Sequence, residues 1–328
     1  MRSGVFFVSL SAPALALLAC TSFGTDAPYP PADAAASETA PPGDAAAGDG
    51  ASDGGAETCA LDAAFGKGIP VGGLSAYSVE AVRFGAIRST VYLSLCPADG
   101  SKPGCEMYQG TSTTVSDTFG GFNAMSTVNK PNVYDSYPTV TGDAQWLLFG
   151  SSRGGGSGVK VYQAHAEAGV FAAPKDLGLG FALSNEPYLL GDGHTFYFAA
   201  SASADTPQWD LYRATGTVPS FPSPTSVTAV NLSDSHEFAP VPSEDELEIF
   251  FASSRAPGSE SNLDIWRATR ASVSDPFGTP VRMDALSGGQ NDFPTSISPD
   301  HCELYYIQKS GAGAGAGVAY VARRPRAR

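Results

Sequence analysis

Short runs of β-branched and aromatic residues recur along the chain, separated by polar segments that are rich in Gly, Pro, Asp and Ser. Runs of three or four such residues have the length and composition of β-strands and are too short for helices. Five runs stand out: Thr90–Leu93, Trp146–Phe149, Phe196–Phe198, Ile249–Phe251 and Leu304–Ile307. The pattern therefore predicts an all-β protein built from a repeated unit.

A single large aromatic residue follows each run by about sixteen positions. These residues are Tyr108, Tyr162, Tyr212, Trp266 and Tyr320. Their spacings are 54, 50, 54 and 54 residues. A period near fifty residues is typical of β-propeller blades.

Two further markers complete the repeat. A proline and then a tight turn precede four of the runs, which indicates an additional strand before each turn. These prolines are Pro138, Pro187, Pro240 and Pro294. A phenylalanine marks a last strand, at Phe65, Phe119, Phe171, Phe221 and Phe277. Four strands per copy make one antiparallel blade.

The order of the markers predicts how the ring closes. The phenylalanine strand occurs first at Phe65, before any blade, and none follows Tyr320. The N-terminal strand then completes the last blade, so that no open edge remains between first and last blades. We expect a five-bladed β-propeller of four-stranded antiparallel blades, with six blades as the alternative if the first copy is misassigned.

The N-terminal segment differs in composition from the repeats. Residues 1–19 begin with a positive charge and continue as an apolar stretch too short to span a bilayer, which predicts a cleaved signal peptide. Leu17-Leu18-Ala19-Cys20 resembles the bacterial lipobox, and this resemblance implies that Cys20 is lipidated. Residues 20–57 are rich in Ala, Gly, Pro and Asp and predict a disordered tether, which leaves 58–328 as the propeller domain.

The charge and composition of the chain limit the classes of partner that it is expected to bind. The 328 residues include 37 Gly and 25 Pro and have a formal net charge of −14. Such a charge disfavours nucleic acid, because binding phosphates needs the opposite sign. We expect a lipid-anchored protein of the cell envelope, on the outer membrane facing the periplasm or at the cell surface, whose membrane contact is the lipid at Cys20.

Four cysteines remain after Cys20, and an exported protein can form disulfides. Cys96 and Cys105 flank one polar loop, so a local bridge between them is natural. Cys59 precedes the closing strand and Cys302 lies in the last blade, so their bridge would join the two ends of the ring. Three pairings are possible in principle, and free thiols are the alternative.

Several blades carry motifs that resemble the TolB-type propeller family, also called WD-repeat-like. They are the turn Ser298-Pro299-Asp300, the loop Ser253-Ser254-Arg255 and the strand starts Asp210-Leu211-Tyr212 and Asp264-Ile265-Trp266. The resemblance spans about residues 65–328 and implies the fold, whereas function depends on the sites that a fold carries. His301 departs from it, because the family's turn prefers glycine there.

No catalytic constellation is evident. Gly150-Ser151-Ser152-Arg153-Gly154 matches a nucleophile-elbow pattern, but Ser152 recurs as Ser254 in another blade, which favours a repeated structural loop. The four histidines show no metal-ligand spacing. We therefore expect no cofactor and no metal centre built on histidine.

One set of carboxylates is a candidate site. Each lies one to three residues before its blade's proline, or near the corresponding place in the first blade: Glu80, Asp135, Glu186, Glu237 and Asp292. Equivalent positions on a propeller form a ring around the channel. These side chains are predicted to hold Ca²⁺ or a basic partner segment at the channel mouth, with turn capping as the alternative.

Three functions follow from these observations. The first is a non-catalytic module that binds a protein or glycan of the envelope. The second is a propeller enzyme similar to glycoside hydrolases, which would use two channel carboxyl groups about 5 to 10 Å apart. The third is a structural protein of the envelope.

Overall fold

The computed structural model describes residues 58–98, 104–113, 117–155, 158–255, 262–310 and 316–327. These residues form 22 β-strands and no helix. Twenty of the strands make five four-stranded antiparallel sheets, which are the blades of a five-bladed propeller. The described part of the chain accordingly contains no helix with the length and apolarity to cross a membrane.

Each blade runs from an inner to an outer strand, in chain order for blades 1 to 4. Two short strands precede the blades: β1 (Thr58–Cys59) and β2 (Ile69–Pro70). Blade 1 contains β3 (Tyr77–Phe84), β4 (Thr90–Pro97), β5 (Glu106–Thr113) and β6 (Thr118–Ala124). Blade 2 contains β7 (Asp135–Val140), β8 (Trp146–Ser151), β9 (Lys160–Glu167) and β10 (Val170–Asp176). Blade 3 contains β11 (Leu183–Leu189), β12 (Thr195–Ser201), β13 (Asp210–Thr215) and β14 (Thr225–Ser226).

Blade 4 contains β15 (Glu237–Pro242), β16 (Glu248–Ser253), β17 (Asp264–Thr269) and β18 (Val281–Arg282). Blade 5 contains β19 (Asn291–Ile297), β20 (Glu303–Lys309) and β21 (Gly317–Arg323), and β22 (Arg326–Ala327) follows. The predicted aromatic runs and the Tyr or Trp markers lie on the second and third strands of all five blades. The prediction of five four-stranded blades is confirmed.

The N-terminal part closes the ring, as the order of the markers predicts. Strand β2 is the outer strand of blade 5, where Ile69 pairs with Val321 on β21. Strand β1 pairs with β22, and the Cys59–Cys302 disulfide joins β1 to the turn before β20 of blade 5. The inner strands follow one another around the ring, and β19 of blade 5 packs against β3 of blade 1.

Only some of the phenylalanine markers lie on the outer strands that they were expected to mark. Phe119 and Phe171 lie on the outer strands of blades 1 and 2. Phe65, Phe221 and Phe277 instead precede their outer strands by four residues. The four rings of Phe65, Phe119, Phe221 and Phe277 are buried and that of Phe171 is half-buried, so packing rather than strand pairing explains the repeat.

A β-bulge interrupts every inner strand. The prolines of blades 2, 3 and 4 lie at these bulges, where their missing N–H costs no ladder hydrogen bond. The residue before each of them, Tyr137, Glu186 or Ala239, has a positive φ of 53°, 56° or 49°. A bulge therefore aims one side chain per inner strand away from the regular alternation.

The core lies between neighbouring blades. One cluster joins Phe65 of the N-terminal segment to Tyr188 of blade 3, Phe250 of blade 4 and Leu304 of blade 5. The Phe65 and Phe250 rings meet edge to face, with centroids 5.8 Å apart. Burial of these apolar side chains on both faces of each blade fixes the ring, at roughly 25 cal/mol for each Å² removed from water.

Candidate functional site

Asp135 of blade 2 is the centre of a buried acid–serine–arginine cluster. Its Oδ1 accepts hydrogen bonds from Ser151 Oγ at 2.5 Å and from Arg153 Nη2 at 2.7 Å. Arg153 Nη2 also donates to the Val128 carbonyl at 2.6 Å. The guanidinium carbon lies 4.7 Å from the centre of the Phe149 ring. The Asp135 carboxylate is therefore held by residues of its own blade and by the Lys130 N–H of the segment before it.

Blade 4 repeats this cluster with a longer acid. Glu237 Oε1 accepts from Ser253 Oγ at 2.9 Å and from Arg255 Nη2 at 3.0 Å. Arg255 Nη2 also donates to the Val230 carbonyl, and the guanidinium stacks over Trp266 at 5.2 Å. The Ser-Arg loop and the aromatic marker of the repeat are thus parts of one buried structural unit.

The serines of the nucleophile-like pattern belong to this unit. Ser152 Oγ accepts a hydrogen bond from the Tyr134 N–H at 3.1 Å, and Ser254 Oγ accepts one from the His236 N–H at 2.9 Å. The two serines hold the same place in two blades. A repeated backbone contact accounts for both.

Asp292 takes the corresponding place in blade 5 without an arginine. Its carboxylate accepts from Gln308 Nε2 at 2.9 Å and from the Gly288 N–H at 2.9 Å. Burial raises the pKa of Asp292 to about 6, because these two neutral donors only partly replace water.

Glu80 and Glu186 lie at the bulges of blades 1 and 3 and have different partners. Glu80 Oε2 accepts from Lys309 Nζ at 2.5 Å and from Tyr134 Oη at 2.9 Å. Glu186 Oε2 accepts from the Ala239 N–H at 2.5 Å. Burial raises the pKa of Glu186 to about 7, although that N–H and the charges of Lys309 and Arg83 oppose the rise.

The five predicted carboxylates therefore do not form one uniform ring. All are at most 8% exposed, and each already accepts hydrogen bonds from the chain. Asp135 and Glu237 pair across the strand with Ser151 and Ser253, whereas Glu80 and Glu186 occupy bulges. Binding of Ca²⁺ or of a basic segment by this set stays a prediction.

A geometric cluster of possible metal ligands in the described residues consists of Glu80, Cys96 and Cys105. The two cysteines form a disulfide with each other, so their sulfur atoms are unavailable as thiolate ligands. The bridge is the local one expected from the sequence. Cys20 lies outside the described residues, and its lipidation stays a prediction.

Arg83 near the end of β3 was not singled out by the sequence. Its side chain is 3% exposed, and none of its three guanidinium nitrogens has a hydrogen-bond partner. The guanidinium carbon lies 4.5 Å from the centre of the Tyr188 ring. Burial lowers the pKa of Arg83 to about 10, against the attraction of Tyr188, Tyr137 and Glu186.

Arg83 and Tyr188 both line a cavity of about 230 Å³, which we call the channel-end cavity. Its walls come from all five blades, through Arg83, Thr139, Tyr188, Glu244 and Ser296. These residues lie at or just after the last residues of the inner strands. The cavity is therefore at the end of the channel opposite the starts of those strands.

A larger cavity of about 650 Å³ lies beside the start of β3, and we call it the blade-1 groove. Tyr77, Tyr108, Glu106, Lys130 and Asn132 are among its lining residues. The Tyr77 and Tyr108 rings lie 6.2 Å apart, and Tyr108 Oη donates to Glu106 Oε2 at 3.1 Å. Both tyrosines are half-buried and so retain surface for a ligand.

The Cys96–Cys105 disulfide fixes one wall of the groove. Gly104, next to Cys105, has a φ of +114°, and a Cβ there would collide with the Val133 carbonyl oxygen. Glycine thus lets the disulfide-bonded hairpin approach the segment that carries Lys130 and Asn132. Half-buried aromatic rings beside a few polar groups are what ligand pockets usually present.

The fold and these cavities define the class of protein, a five-bladed β-propeller closed by its N-terminal strand. No family model matches the chain, and no curated protein gives a significant sequence match. Solved structures of similar fold include the catalytic domain of Coprinopsis cinerea GH62 α-L-arabinofuranosidase. That likeness has a TM-score of 0.50 and 11% identity, and covers 81% of this chain and 99% of that one.

A thermostable family-43 glycoside hydrolase has a TM-score of 0.50 and 14% identity, over 79% of this chain and 92% of that one. TolB from Acinetobacter baumannii has a TM-score of 0.46 and 12% identity, over 76% of this chain. The chain spans 55% of the length of that TolB structure. The two glycoside hydrolase likenesses, with TM-scores of 0.50, show a shared fold only.

Proposed function

We propose that this protein is a non-catalytic binding module of the cell envelope, anchored through lipid at Cys20, and that the blade-1 groove holds its ligand. The observation that carries the proposal is the groove itself, with two half-buried tyrosines beside Glu106 and Lys130. Its volume of about 650 Å³ falls within the range of roughly 300 to 1,000 Å³ that is usual for ligand sites.

The state of the carboxylates supports binding over hydrolysis. A glycoside hydrolase needs two carboxyl groups that reach the substrate in an open cleft. The candidates Glu80 and Glu186 are 8% and 5% exposed, and Glu80 is held by Lys309. Asp135 and Glu237 are likewise held by Arg153 and Arg255.

The ligand is a segment of an envelope protein or glycan that places an apolar or sugar face against Tyr108. Tyrosine gives a large contact area with little loss of conformational freedom, which is why it often dominates binding energy. Lys130 and Glu106 offer one charge of each sign at the groove. We expect them to orient the ligand by hydrogen bonds.

Capture of ligand from envelope extract tests the proposal. The full chain and a Tyr108→Ala variant are compared with Tyr212→Ala, which removes the equivalent half-buried tyrosine of blade 3, outside the groove. Loss of one aromatic anchor costs about 2 kcal/mol, so Tyr108→Ala should weaken capture at least about tenfold. Tyr212→Ala should leave capture unchanged.

Treating the extract with protease before capture separates the two ligand classes. Capture that survives protease indicates a glycan, and capture that is lost indicates a protein. Equal capture by all three proteins would overturn the groove as the site. Sugar released from the extract by the wild-type chain would favour the hydrolase instead.

A further inference from the structure

The channel-end cavity differs from the blade-1 groove in position and chemistry. Arg83 lies at the end of β3 and Tyr77 at its start, so about 20 Å of strand separates the two cavities. The groove is lined by residues of blade 1 and of the segment before blade 2, whereas the channel-end cavity draws on every blade. A ligand at one site therefore leaves the other free.

Arg83 is the unusual group in this cavity. Among the described arginines, it alone has all three guanidinium nitrogens buried without a hydrogen-bond partner. Buried polar groups are almost always bonded, and an unbonded guanidinium carries a large desolvation cost. An unbonded guanidinium of this kind, stacked on a ring that lines a cavity, is a group that an anionic ligand can satisfy.

The charges around the channel identify which kind of anion fits. Lys309 is already paired with Glu80, so Arg83 is the cation left without an ion pair among the described channel residues. The carboxyl groups of Glu186 and Glu244 also lie near Arg83, so a singly charged anion meets less repulsion there than a doubly charged one. A carboxylate carries one charge and offers two oxygens for the guanidinium fork, whereas a phosphate group carries closer to two charges.

The size of the cavity limits what accompanies that carboxylate. A volume of about 230 Å³ lies below the usual range for a whole drug-sized ligand. The Tyr188 ring gives the wall an apolar face, while the hydroxyl-bearing Thr139 and Ser296 also line the cavity. The site therefore suits the acidic end of a chain or a single small acid.

We propose that the channel-end cavity is a second binding site, which takes a ligand carboxylate on Arg83. The guanidinium nitrogens are buried, so the Arg83 side chain shifts toward the cavity when the ligand enters. The edge of the guanidinium then donates two hydrogen bonds to the carboxylate oxygens, while its face stays stacked on the Tyr188 ring. Glu244 lines the same cavity and accepts a hydrogen bond from the Gly191 N–H at 2.9 Å. Its carboxyl group would disfavour anions that carry more than one charge. This proposal does not depend on the groove as a site.

Titration calorimetry on the full chain tests it with sodium glucuronate, N-acetylglycine and inorganic phosphate as probes. The two carboxylates represent an acidic sugar and a chain terminus, and sodium chloride of equal ionic strength is the reference. The variants are Arg83→Gln and Arg83→Lys, with Arg88→Gln as the control. Arg88 lies on the same blade, is 34% exposed and does not line the cavity.

We expect saturable binding of at least one carboxylate, weakened about 10- to 100-fold in Arg83→Gln and less in Arg83→Lys. Arg88→Gln should bind as the wild type does. Folding is checked by the unfolding temperature of each variant. Absence of carboxylate binding by the wild type, equal binding by Arg83→Gln, or preferred binding of phosphate would each overturn the proposal.

Discussion

Arg255 in blade 4 and Arg83 in the channel are both buried arginines stacked on an aromatic ring, yet their hydrogen bonding is opposite. Arg255 donates to a carboxylate, a serine and a backbone carbonyl. Arg83 donates to none of the described residues. The contrast separates a guanidinium that is bonded within its blade from one that we propose binds a ligand.

The first prediction concerns the arginine that is bonded. Arg255→Met removes the partner of Glu237, which is fully buried. An uncompensated buried charge typically costs about 3 to 5 kcal/mol, so the free energy of unfolding should fall by that amount. Denaturant unfolding with unchanged m-value measures it, and a loss below about 1 kcal/mol would contradict the structural role of the cluster.

The second prediction uses the pH dependence of stability at Glu186. The pKa of Glu186 is raised by burial from 4.5 to about 7, so the folded state keeps a proton that the unfolded state loses. Stability should therefore fall as the pH rises from about 4.5 through about 7. The Glu186→Gln side chain cannot ionise. The free energy of unfolding of this variant should therefore rise relative to that of the wild type by about 3 kcal/mol across that pH interval.

Glu248 provides a control of opposite sign. Burial alone raises its pKa, but hydrogen bonds from His301 and Arg324 outweigh burial and lower the pKa to about 2. The stabilisation that ionised Glu248 gives the folded state should be full above about pH 4.5 and lost as the pH falls toward 2.

The Glu186 prediction has a clear contrary outcome. If the free energy of unfolding of Glu186→Gln differs from that of the wild type by the same amount at pH 4 and pH 8, the assigned burial of Glu186 is wrong.

The third prediction is the smallest effect and sharpens the contrast between the arginines. Arg83 donates no hydrogen bond, so Arg83→Met takes no donor away from a buried acceptor. The free energy of unfolding should therefore fall by less than about 1 kcal/mol, or rise. The measurement is made near pH 5, where Glu186 is mostly protonated. A loss as large as that of Arg255→Met would show that Arg83 supports the fold.

The repeat itself was readable from the sequence, for a physical reason. Each blade buries the same positions of its second strand against its neighbours, so Phe149, Phe198 and Phe251 recur with the period of the fold. The local spacing of Cys96 and Cys105 similarly indicated their bridge. Residues that recur because they pack in the same way in each blade can be identified from their regular spacing in the sequence.

The sites were harder to predict because bulges break the link between sequence offset and orientation. Counting back from proline placed Asp135 and Glu186 in one set, yet Asp135 lies in the regular ladder and Glu186 at a bulge. Arg83 belongs to no repeated motif. The available signal was one cation within the otherwise apolar run Ala81-Val82-Arg83-Phe84, which only the fold connects to Tyr188.

The most direct test of binding without catalysis compares the wild-type chain with Glu186→Gln on envelope glycans and proteins. Ligand capture and sugar release are measured on the same samples. A non-catalytic module predicts equal capture by both proteins and no sugar release by either. Sugar release by the wild type that disappears in Glu186→Gln would contradict that function and identify the channel as an active site.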